Sequence, residues 1–417
     1  MEKTEAVYAP SSGVSAKDIL TVPVIVASLG YFVDIYDLIL FSIVRISSLK
    51  AIGLQGQELL DRGVFLLNMQ MGGMLLGGIL WGILGDKKGR VKILFGSIFL
   101  YSVANIANGF VTSIDGYAVW RFIAGIGLAG ELGAGVTLVL ENLPKTSRGY
   151  GTMIVASIGV TGAILANVIA KNFDWRVAYF IGGGLGLALL VMRIGVFESG
   201  MYKEIEGRDV SKGDFFALFV KRANFYKYMK SILIGLPIWF AVGILITFSP
   251  EFAKVLGVSG PVNAGEAVMY CYVGLVLGDF ASGFLSQFFR SRKKIVFVFQ
   301  VLSGTMITVY FMLRGVSPAL FYAHCVAIGV AVGYWAIFIT IAAEQFGTNL
   351  RATVASTVPN FIRGMVIPIT FSFQFLKGYL GIIGSAAVVG LVCLVVSLYA
   401  LYYLEETFHK DLNYIEK

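Results

Sequence analysis

The chain reads Gly82-Ile83-Leu84-Gly85-Asp86-Lys87-Lys88-Gly89-Arg90-Val91-Lys92-Ile93-Leu94 between two apolar runs, at about 64–84 and 91–111. A hydrocarbon core of about 30 Å needs roughly 20 apolar residues of helix, so each run is long enough to cross a membrane. The stretch between them is therefore a short, charged hairpin that joins two transmembrane helices. Because basic clusters beside membrane spans mark the cytoplasmic side, this hairpin predicts both the fold class and the topology.

The composition of the chain excludes most soluble functions. Of its 417 residues, 57% are hydrophobic and 14% are charged, which is too apolar for a soluble globule of this size. The net charge of +8 comes from basic residues in membrane-proximal loops. Positive-inside bias accounts for it better than a nucleic-acid partner does. The three cysteines all fall inside apolar runs and have neither a pairing framework nor metal-ligand spacing.

The distribution of apolar runs predicts an all-α integral membrane protein with twelve transmembrane helices in two six-helix bundles. With both termini in the cytoplasm, most Lys and Arg residues fall in cytoplasmic loops, as the positive-inside rule requires. The predicted segments are a cytoplasmic tail (1–18), an N-terminal half (19–196), a cytoplasmic central loop (197–228), a C-terminal half (229–404) and a cytoplasmic tail (405–417).

The hairpin pattern G-x-L-x-D-K-x-G-R-x-K-x-L resembles the loop between helices 2 and 3 of the major facilitator superfamily. The run Arg121–Glu131 is similar to the superfamily's R-x-x-x-G-x-G motif in helix 4, and Glu141 and Arg148 fall on an E-x-x-P…R-G ending seen in sugar and organic-anion porters. A second hairpin, 283–294, keeps the glycine and basic cluster but has Gln287 in place of the acid. The resemblance implies two halves that rock around a central cavity, in an inner (plasma) membrane.

Two carboxylates in the first predicted span are candidates for proton coupling. Asp34 and Asp37 are three residues apart and share one helix face. An ionisable residue at a helix centre costs about 2.5–3.5 kcal/mol on insertion scales, and two neighbouring carboxylates in a low dielectric do not both ionise easily. This suits a proton carrier. The Ile35-Tyr36-Asp37 run also resembles the G-Y-D of sugar and aromatic-acid symporters, where the aspartate is linked to proton coupling.

Two charged residues of the fourth predicted span extend this group. Arg121 lies at a depth compatible with Asp37, so we expect Arg121 to hold Asp37 ionised until protonation breaks the pair. The alternative is a permanent ion pair that fixes the first and fourth spans. Glu131 lies ten residues further along, and it is a second proton site, a substrate contact or a protonated packing residue.

The predicted substrate site centres on Arg363, which lies about 15 Å into its span at a rise of 1.5 Å per residue. A guanidinium grips a carboxylate through two parallel hydrogen bonds. Asp279 lies at mid-depth in the eighth span, which leaves open that Arg363 only neutralises it. Other polar or aromatic residues near mid-depth are cavity candidates, although most aromatics in such a chain face lipid or the core: Asn360, Tyr31, Trp239, Tyr334, Trp335 and Gln374.

Six charged residues fall at the predicted cytoplasmic rim: Asp86, Arg90, Glu141, Arg148, Glu344 and Arg351. The family resemblance implies an inner latch, with ion pairs that form when the cavity faces outward and break when it faces inward. The alternative is that these residues only anchor loops to lipid headgroups.

The sequence therefore predicts a secondary transporter that works by alternating access, with proton-coupled symport of a small organic anion. A sugar or other neutral-solute porter, or a membrane sensor of the same fold without transport, stays open. The chain lacks a phosphate-binding G-x-x-x-x-G-K-[ST], zinc-ligand spacing and a nucleophile elbow, so no enzyme activity, cofactor or metal is predicted. The expected partners are the solute, protons and the lipid bilayer, and we expect a monomer.

Overall fold

The computed structural model describes residues 20–88, 90–131, 148–198, 215–408, 410 and 415. Every regular element in these ranges is a helix. The helices of the N-terminal half are α1 (Val22–Ala51), α2 (Glu58–Lys88), α3 (Arg90–Asn108), α4 (Ile114–Leu128), α5 (Arg148–Val160), α6 (Gly162–Asn172) and α7 (Trp175–Glu198).

The C-terminal part of the chain is more interrupted. Two of its apolar stretches are divided by a break, at 234–235 and at 333–334, and a π-helix begins at residue 241. The elements are α8 (Ala217–Val220), α9 (Arg222–Leu233), α10 (Leu236–Phe240), a π-helix (Ala241–Ile246), α11 (Ser249–Leu256), α12 (Ala264–Phe288), α13 (Arg292–Met312), α14 (Pro318–Val332), α15 (Trp335–Glu344), α16 (Thr348–Gly364) and α17 (Val366–Tyr402).

The described part of the chain contains 8 segments that are long and apolar enough to cross a membrane, or 9 if the bent pair α9–α10 counts as one span. Helix α17 has 37 residues and would be about 55 Å long if straight, far more than one hydrocarbon core needs. It breaks at Gly381, where φ is 67° and ψ is −178°. The all-helical membrane fold is confirmed, whereas twelve spans and cytoplasmic termini remain predictions.

The chain alternates between two ends of the helical bundle. We call the end that carries the 82–94 hairpin the hairpin end, and the opposite end, where α1 finishes and α7 begins, the distal end. Within the N-terminal half, α1 packs against α5, α6 and α7, and α4 packs against α2 and α3. The two halves meet where α2 contacts α16 and where α12 contacts α5 and α6.

Glycines allow equivalent helix pairs in the two halves to touch through their backbones. A Cβ atom added at Gly73 of α2 would collide with the carbonyl oxygen of Phe122 on α4. In the C-terminal half, a Cβ at Gly274 of α12 would collide in the same way with the carbonyl oxygen of Val326 on α14. Since lipid gives no hydrophobic drive for helix association, such close approach is a main source of packing energy in membranes.

Candidate functional site

Arg363 lies at the end of α16, and its side chain is fully buried. Its guanidinium carbon is 5.7 Å from the ring centroid of Trp239 and 5.6 Å from that of Trp335. None of its three nitrogens has a hydrogen-bond partner among the residues that the structure describes. A buried charge without a hydrogen-bond partner is costly, and an anion placed beside this guanidinium would reduce that cost.

Trp239 and Trp335 form two walls of this site. Their ring centroids are 6.1 Å apart, with the ring planes at 73°. Both side chains are buried; within the described ranges the indole N–H of Trp239 has no hydrogen-bond partner, and the indole of Trp335 interacts with the hydroxyl of Tyr31. Buried indole N–H groups usually find an acceptor. The site therefore combines hydrogen-bond donors with flat aromatic walls, and its described polar groups near Arg363 suit an acceptor-rich, planar ligand.

A break between α9 and α10 positions Trp239. Pro237 has no backbone N–H and cannot continue the helical bonding of the preceding turn. Freed backbone groups at membrane depth must be satisfied inside the protein, and the carbonyl of Ile234 accepts bonds from three side chains: Gln300 Nε2 at 3.2 Å, Ser397 Oγ at 3.0 Å and Tyr334 Oη at 3.1 Å. The hydroxyl of Tyr334 thus stabilises the break, and its predicted place in the cavity remains a prediction.

A second break, between α14 and α15, positions Trp335. Oδ1 of Asp279 on α12 accepts a hydrogen bond of 3.1 Å from the backbone N–H of Ala336, so Asp279 satisfies a free donor in the first turn of α15. Asp279 and Arg363 form no ion pair in the described part of the chain. The alternative in which Arg363 only neutralises Asp279 is therefore wrong for this conformation, and Asp279 acts on the site by holding Trp335 in place.

This role predicts different outcomes for two substitutions at Asp279. Asp279→Asn keeps the Oδ1 acceptor, so we expect it to retain most of the solute uptake. Asp279→Ala removes the cap, which costs about 1 kcal/mol in typical helices, and it frees Trp335 to move. We expect uptake of reconstituted protein to fall at least tenfold in the alanine variant. Equal loss in both variants would instead show that the charge of Asp279 matters.

The two carboxylates of α1 are both buried. Oδ1 of Asp34 and both oxygens of Asp37 have no hydrogen-bond partner among the described residues. Asp34 interacts electrostatically with Glu131 and Arg193 in its own half and with Arg363 in the other. Asp34 therefore feels charged groups of both halves, and its part in proton coupling remains a prediction.

Arg121 is buried and does not contact Asp37 directly. It donates a hydrogen bond to Oε1 of Gln70 on α2, and its guanidinium carbon lies 4.5 Å from the ring centroid of Phe41. The expected ion pair with Asp37 is absent from this conformation because Gln70 and Phe41 hold the guanidinium. Arg121 still interacts electrostatically with Asp37.

Glu131 has a partner that the sequence analysis missed. Arg193 of α7 binds it through two hydrogen bonds, Nη2 to Oε1 at 2.5 Å and Nη1 to Oε2 at 3.0 Å, and also donates to the carbonyl of Val26 at 3.3 Å. A Cβ atom at Gly30 would collide with this pair. The sequence signals this pair only by placing Arg193 among the last residues of an apolar run. Glu131 thus holds three helix segments together as an engaged carboxylate.

Arg45 is a second missed residue, at the distal end. It is fully buried, and its Nη2 lies 2.7 Å from Oε1 of Glu251 in the other half. Its Nη1 donates to the carbonyl of Leu59 at 3.0 Å, and its guanidinium carbon lies 4.6 Å from the ring centroid of Phe248. Two further ion pairs join the halves at this end, and we call the three pairs the distal clamp: Arg45–Glu251, Lys171–Glu266 and Asp61–Lys377.

The predicted latch at the hairpin end lies partly outside the described residues. This applies to Glu141 and to the side chains of Asp86, Arg90 and Arg148. Glu344 binds Arg292 of its own half through bonds of 2.6 and 2.9 Å. Arg351 donates from Nη2 to the carbonyl of Phe346 at 3.3 Å. The latch between the halves therefore remains a prediction.

The C-terminal segment supplies the acid that the second hairpin lacks. Glu406 accepts a hydrogen bond from the hydroxyl of Ser291 and bonds of 3.0 and 3.2 Å from the backbone N–H groups of Arg292 and Lys293. Partial burial works to raise the pKa of Glu406, but these hydrogen bonds outweigh it and leave the pKa below its ordinary value. A carboxylate at this helix N-terminus takes up the role left open by Gln287.

The remaining cavity candidates differ in their surroundings. Asn360 donates from Nδ2 to the carbonyl of Ala129 at 2.8 Å, so it bridges the two halves. Tyr31 is buried, and a Cβ at Gly159 would collide with its ring. Gln374 is half-buried on α17. Their part in binding a substrate remains a prediction.

Comparison with known proteins supports the fold over most of the chain. The model of the Major Facilitator Superfamily matches residues 27–370. A gentisate transporter of Corynebacterium glutamicum is 24% identical over 338 residues, or 77% of this chain and 73% of that protein. The niacin transporter NiaP of Acinetobacter baylyi is 29% identical over 187 residues, or 44% of this chain and 42% of that protein.

A solved structure extends the likeness in fold. The proton:xylose symporter XylE bound to 6-bromo-6-deoxy-D-glucose matches with a TM-score of 0.71 at 15% identity, covering 94% of this chain and 97% of that one. At this identity the likeness shows the fold alone.

Proposed function

The chain belongs to the major facilitator superfamily, and from this premise we propose that it moves a small organic carboxylate across a membrane together with protons. Transport proceeds by alternating access, in which two six-helix halves (19–196 and 229–404) rock around a central site. In this proposal the chain has twelve spans in an inner (plasma) membrane, and the hairpin end and both termini lie in the cytoplasm.

The observation that carries the proposal is the buried guanidinium of Arg363 between Trp239 and Trp335. Its fork of N–H donors matches the two oxygens of a carboxylate, and each indole N–H adds a donor beside it. The aromatic walls favour a flat ring or a conjugated chain attached to that carboxylate. Planar carboxylic acids are therefore the class of solute that fits these residues best.

The relatives support the same class. Gentisate and niacin, the solutes in their names, are both aromatic rings that carry a carboxylate. A neutral sugar, by contrast, would bring no negative charge to the guanidinium of Arg363, whose nitrogens have no hydrogen-bond partner among the described residues. We therefore place a sugar porter second, and a sensor without transport third.

Proton coupling in this proposal rests on Asp34 and Asp37. Their buried oxygens without described partners bind a proton at lower cost than they carry a charge. Glu131 is already an acceptor for both terminal nitrogens of Arg193, so it is the weakest carrier of the three. Because Asp34 interacts electrostatically with Arg363, its protonation changes the net charge around the site when the anion arrives.

Uptake by the purified protein in liposomes tests the proposal. With the lumen alkaline relative to the medium, we expect benzoate or nicotinate to accumulate above the outside concentration, and we expect no accumulation when the two pH values are equal. Xylose in the same vesicles serves as the neutral control, and protein-free vesicles give the passive entry of the uncharged acid, which is subtracted. Equal accumulation with and without the pH gradient, or uptake of xylose but of neither acid, would contradict the proposed symport.

A further inference from the structure

A chain of three hydroxyl groups runs through the N-terminal half from its distal end. The hydroxyl of Tyr117 on α4 donates to Oγ of Ser48 on α1 at 3.3 Å. On its other side it lies 2.7 Å from the hydroxyl of Tyr179 on α7, and either atom of that pair can be the donor. All three side chains are fully buried. The chain therefore links three helices through groups that both donate and accept hydrogen bonds.

The inner end of this chain reaches the surroundings of Asp37. A Cβ atom added at Gly182, three residues after Tyr179 on α7, would collide with Oδ1 of Asp37, so the part of α7 that carries Tyr179 packs against Asp37. Asp37 and Ser48 are eleven residues apart on α1, which is about 16 Å along the axis and only about 20° around it. The hydroxyl chain and Asp37 therefore lie along one face of α1, with Ser48 near its distal end.

The region around Asp37 holds several polar groups without described partners. They include both carboxylate oxygens of Asp37, the amide atoms of Asn105, the hydroxyl of Tyr101, and Nε and Nη1 of Arg121. Buried polar groups are normally bonded either to protein or to ordered water. This mixture of donors and acceptors suits water molecules that would complete the connection from Tyr179 to Asp37.

We propose that Ser48, Tyr117 and Tyr179 form the path by which protons reach Asp37 from the distal side, an inference that rests on the proton coupling proposed above. Each hydroxyl oxygen accepts a proton from its outer neighbour and passes its own proton inward, after which the hydroxyls rotate back. For each proton that enters at Ser48, one proton binds to the Asp37 carboxylate, and the three hydroxyl groups between them are neutral before and after the transfer. The path lies inside the N-terminal half, separate from the route of the solute.

Such a path must be gated, since a permanent connection would let protons leak without solute. Ser48 is fully buried in this conformation, and its Oγ donates to the carbonyl of Arg45 at 3.1 Å. Arg45 belongs to the distal clamp through its ion pair with Glu251. Opening of the clamp would therefore hydrate Ser48 and connect the path to water at the same time as the distal side opens.

The charged and titratable groups that face Asp37 come from four helices. They are Asp34 and Tyr36 on α1, Tyr101 on α3, Arg121 on α4 and Tyr179 on α7. The hydroxyl of Tyr36 donates to the carbonyl of Ala178 at 2.9 Å. Within this set, among the described residues, the hydroxyl of Tyr179 is the one that continues to the distal end through hydrogen bonds.

Ring packing alone would give Tyr117 and Tyr179 a structural role, and experiment can separate this role from proton transfer. The ring of Tyr117 stacks on Trp175 with centroids 6.3 Å apart and meets the Tyr179 ring edge-on at 81°. Phenylalanine keeps these ring contacts and removes only the hydroxyl. Tyr117→Phe and Tyr179→Phe are therefore the test variants. Tyr310→Phe is the matched control, since Tyr310 is equally buried and donates to the carbonyl of Leu245 in the other half.

Two transport modes in liposomes distinguish the proton path from a purely structural role of the two tyrosines. Exchange of labelled for unlabelled benzoate at equal pH needs no net proton movement, whereas uptake driven by a pH gradient does. We expect Tyr117→Phe and Tyr179→Phe to slow gradient-driven uptake by about tenfold or more, as loss of a proton-transfer group does elsewhere, with exchange and Tyr310→Phe close to wild type. Wild-type uptake in both test variants, or equal loss of exchange and driven uptake, would overturn the path.

A readout without solute separates this inference from the proposed function. After a pH step, protonation of Asp37 is followed by its infrared carboxyl band, identified by its loss in Asp37→Asn. We expect the band to rise more slowly in Tyr179→Phe. If the wild type carries no carboxylate but this band is still slowed, the symport proposal fails and the path stands; an unchanged rate in Tyr179→Phe refutes the path itself.

Discussion

Arg363→Gln is expected to abolish carboxylate uptake at low solute concentration while leaving the protein folded. Two charge-assisted hydrogen bonds are worth roughly 1.5–3 kcal/mol each, so their loss predicts an affinity for benzoate that is weaker by about 100-fold or more. Arg363→Lys keeps the charge but loses the planar fork, and we expect an intermediate affinity. Uptake kinetics of the purified variants in liposomes measure both effects.

Thermal melting separates a binding role of Arg363 from a structural one. Arg363 has no hydrogen-bond partner among the described residues, and its charge interacts there with the rings of Trp239 and Trp335 and with Asp34, so the melting temperature of Arg363→Gln should change little. Arg193→Gln is the contrasting variant. It leaves Glu131 as a buried charge without its partner, which typically costs about 3–5 kcal/mol. A large fall in melting temperature for Arg363→Gln would contradict the binding role, and the exposed Arg314→Gln serves as the neutral control.

Asp37→Asn is expected to uncouple transport from the pH gradient. The amide has nearly the same shape as the protonated acid but binds no proton, so the gradient no longer drives accumulation. We expect the accumulated ratio of benzoate to fall to that of protein-free liposomes, because a carrier without proton exchange adds nothing to the passive distribution of the acid. Exchange at equal pH should persist, since it requires no change in protonation.

The companion variant Asp34→Asn tests which carboxylate carries the proton. If Asp34 carries it instead, Asp34→Asn loses driven accumulation and Asp37→Asn keeps it. If both are needed, each variant loses accumulation on its own. Full accumulation in the Asp34→Asn/Asp37→Asn double variant would contradict proton coupling through α1.

The fold was predictable because its signals are local. Long apolar runs and a charged hairpin at 82–94 follow from membrane thickness and loop charge, and neither depends on how helices rotate against each other. The sequence also pointed to Arg363, Trp239 and Trp335 as mid-depth residues, and the structure brings these three side chains together. The spacing of these residues from the hairpins predicts their depth in the membrane, and in this case depth was enough to group them.

The partners of the buried charges could not be predicted, because depth alone does not say which way a side chain points. Arg121 was expected to meet Asp37, but Gln70 on the neighbouring helix holds it instead. Arg45 and Arg193 stand near the ends of apolar runs, where arginines commonly extend toward the headgroups, so nothing in the sequence marks them as buried. Only the packed structure shows their acceptors on other helices.

The breaks at Ile234 and Gly333 also escaped the sequence analysis, with one partial signal. Pro237 lies in the seventh predicted span and is a known helix breaker. The break before Trp335 has no proline and depends on Asp279, a residue more than 50 positions away. Such long-range capping is invisible in a local pattern, although it sets the orientation of an aromatic wall.

Binding of benzoate and of its neutral analogue benzamide to the purified protein tests the central claim most directly. Trp239 and Trp335 flank Arg363, so the tryptophan fluorescence of the wild type reports occupancy. We predict that benzoate binds and changes the fluorescence, that benzamide binds at least about tenfold more weakly because it lacks the charge that Arg363 pairs with, and that Arg363→Gln removes this preference. Equal affinity of the wild type for the two compounds, or an unchanged preference in Arg363→Gln, would contradict the account.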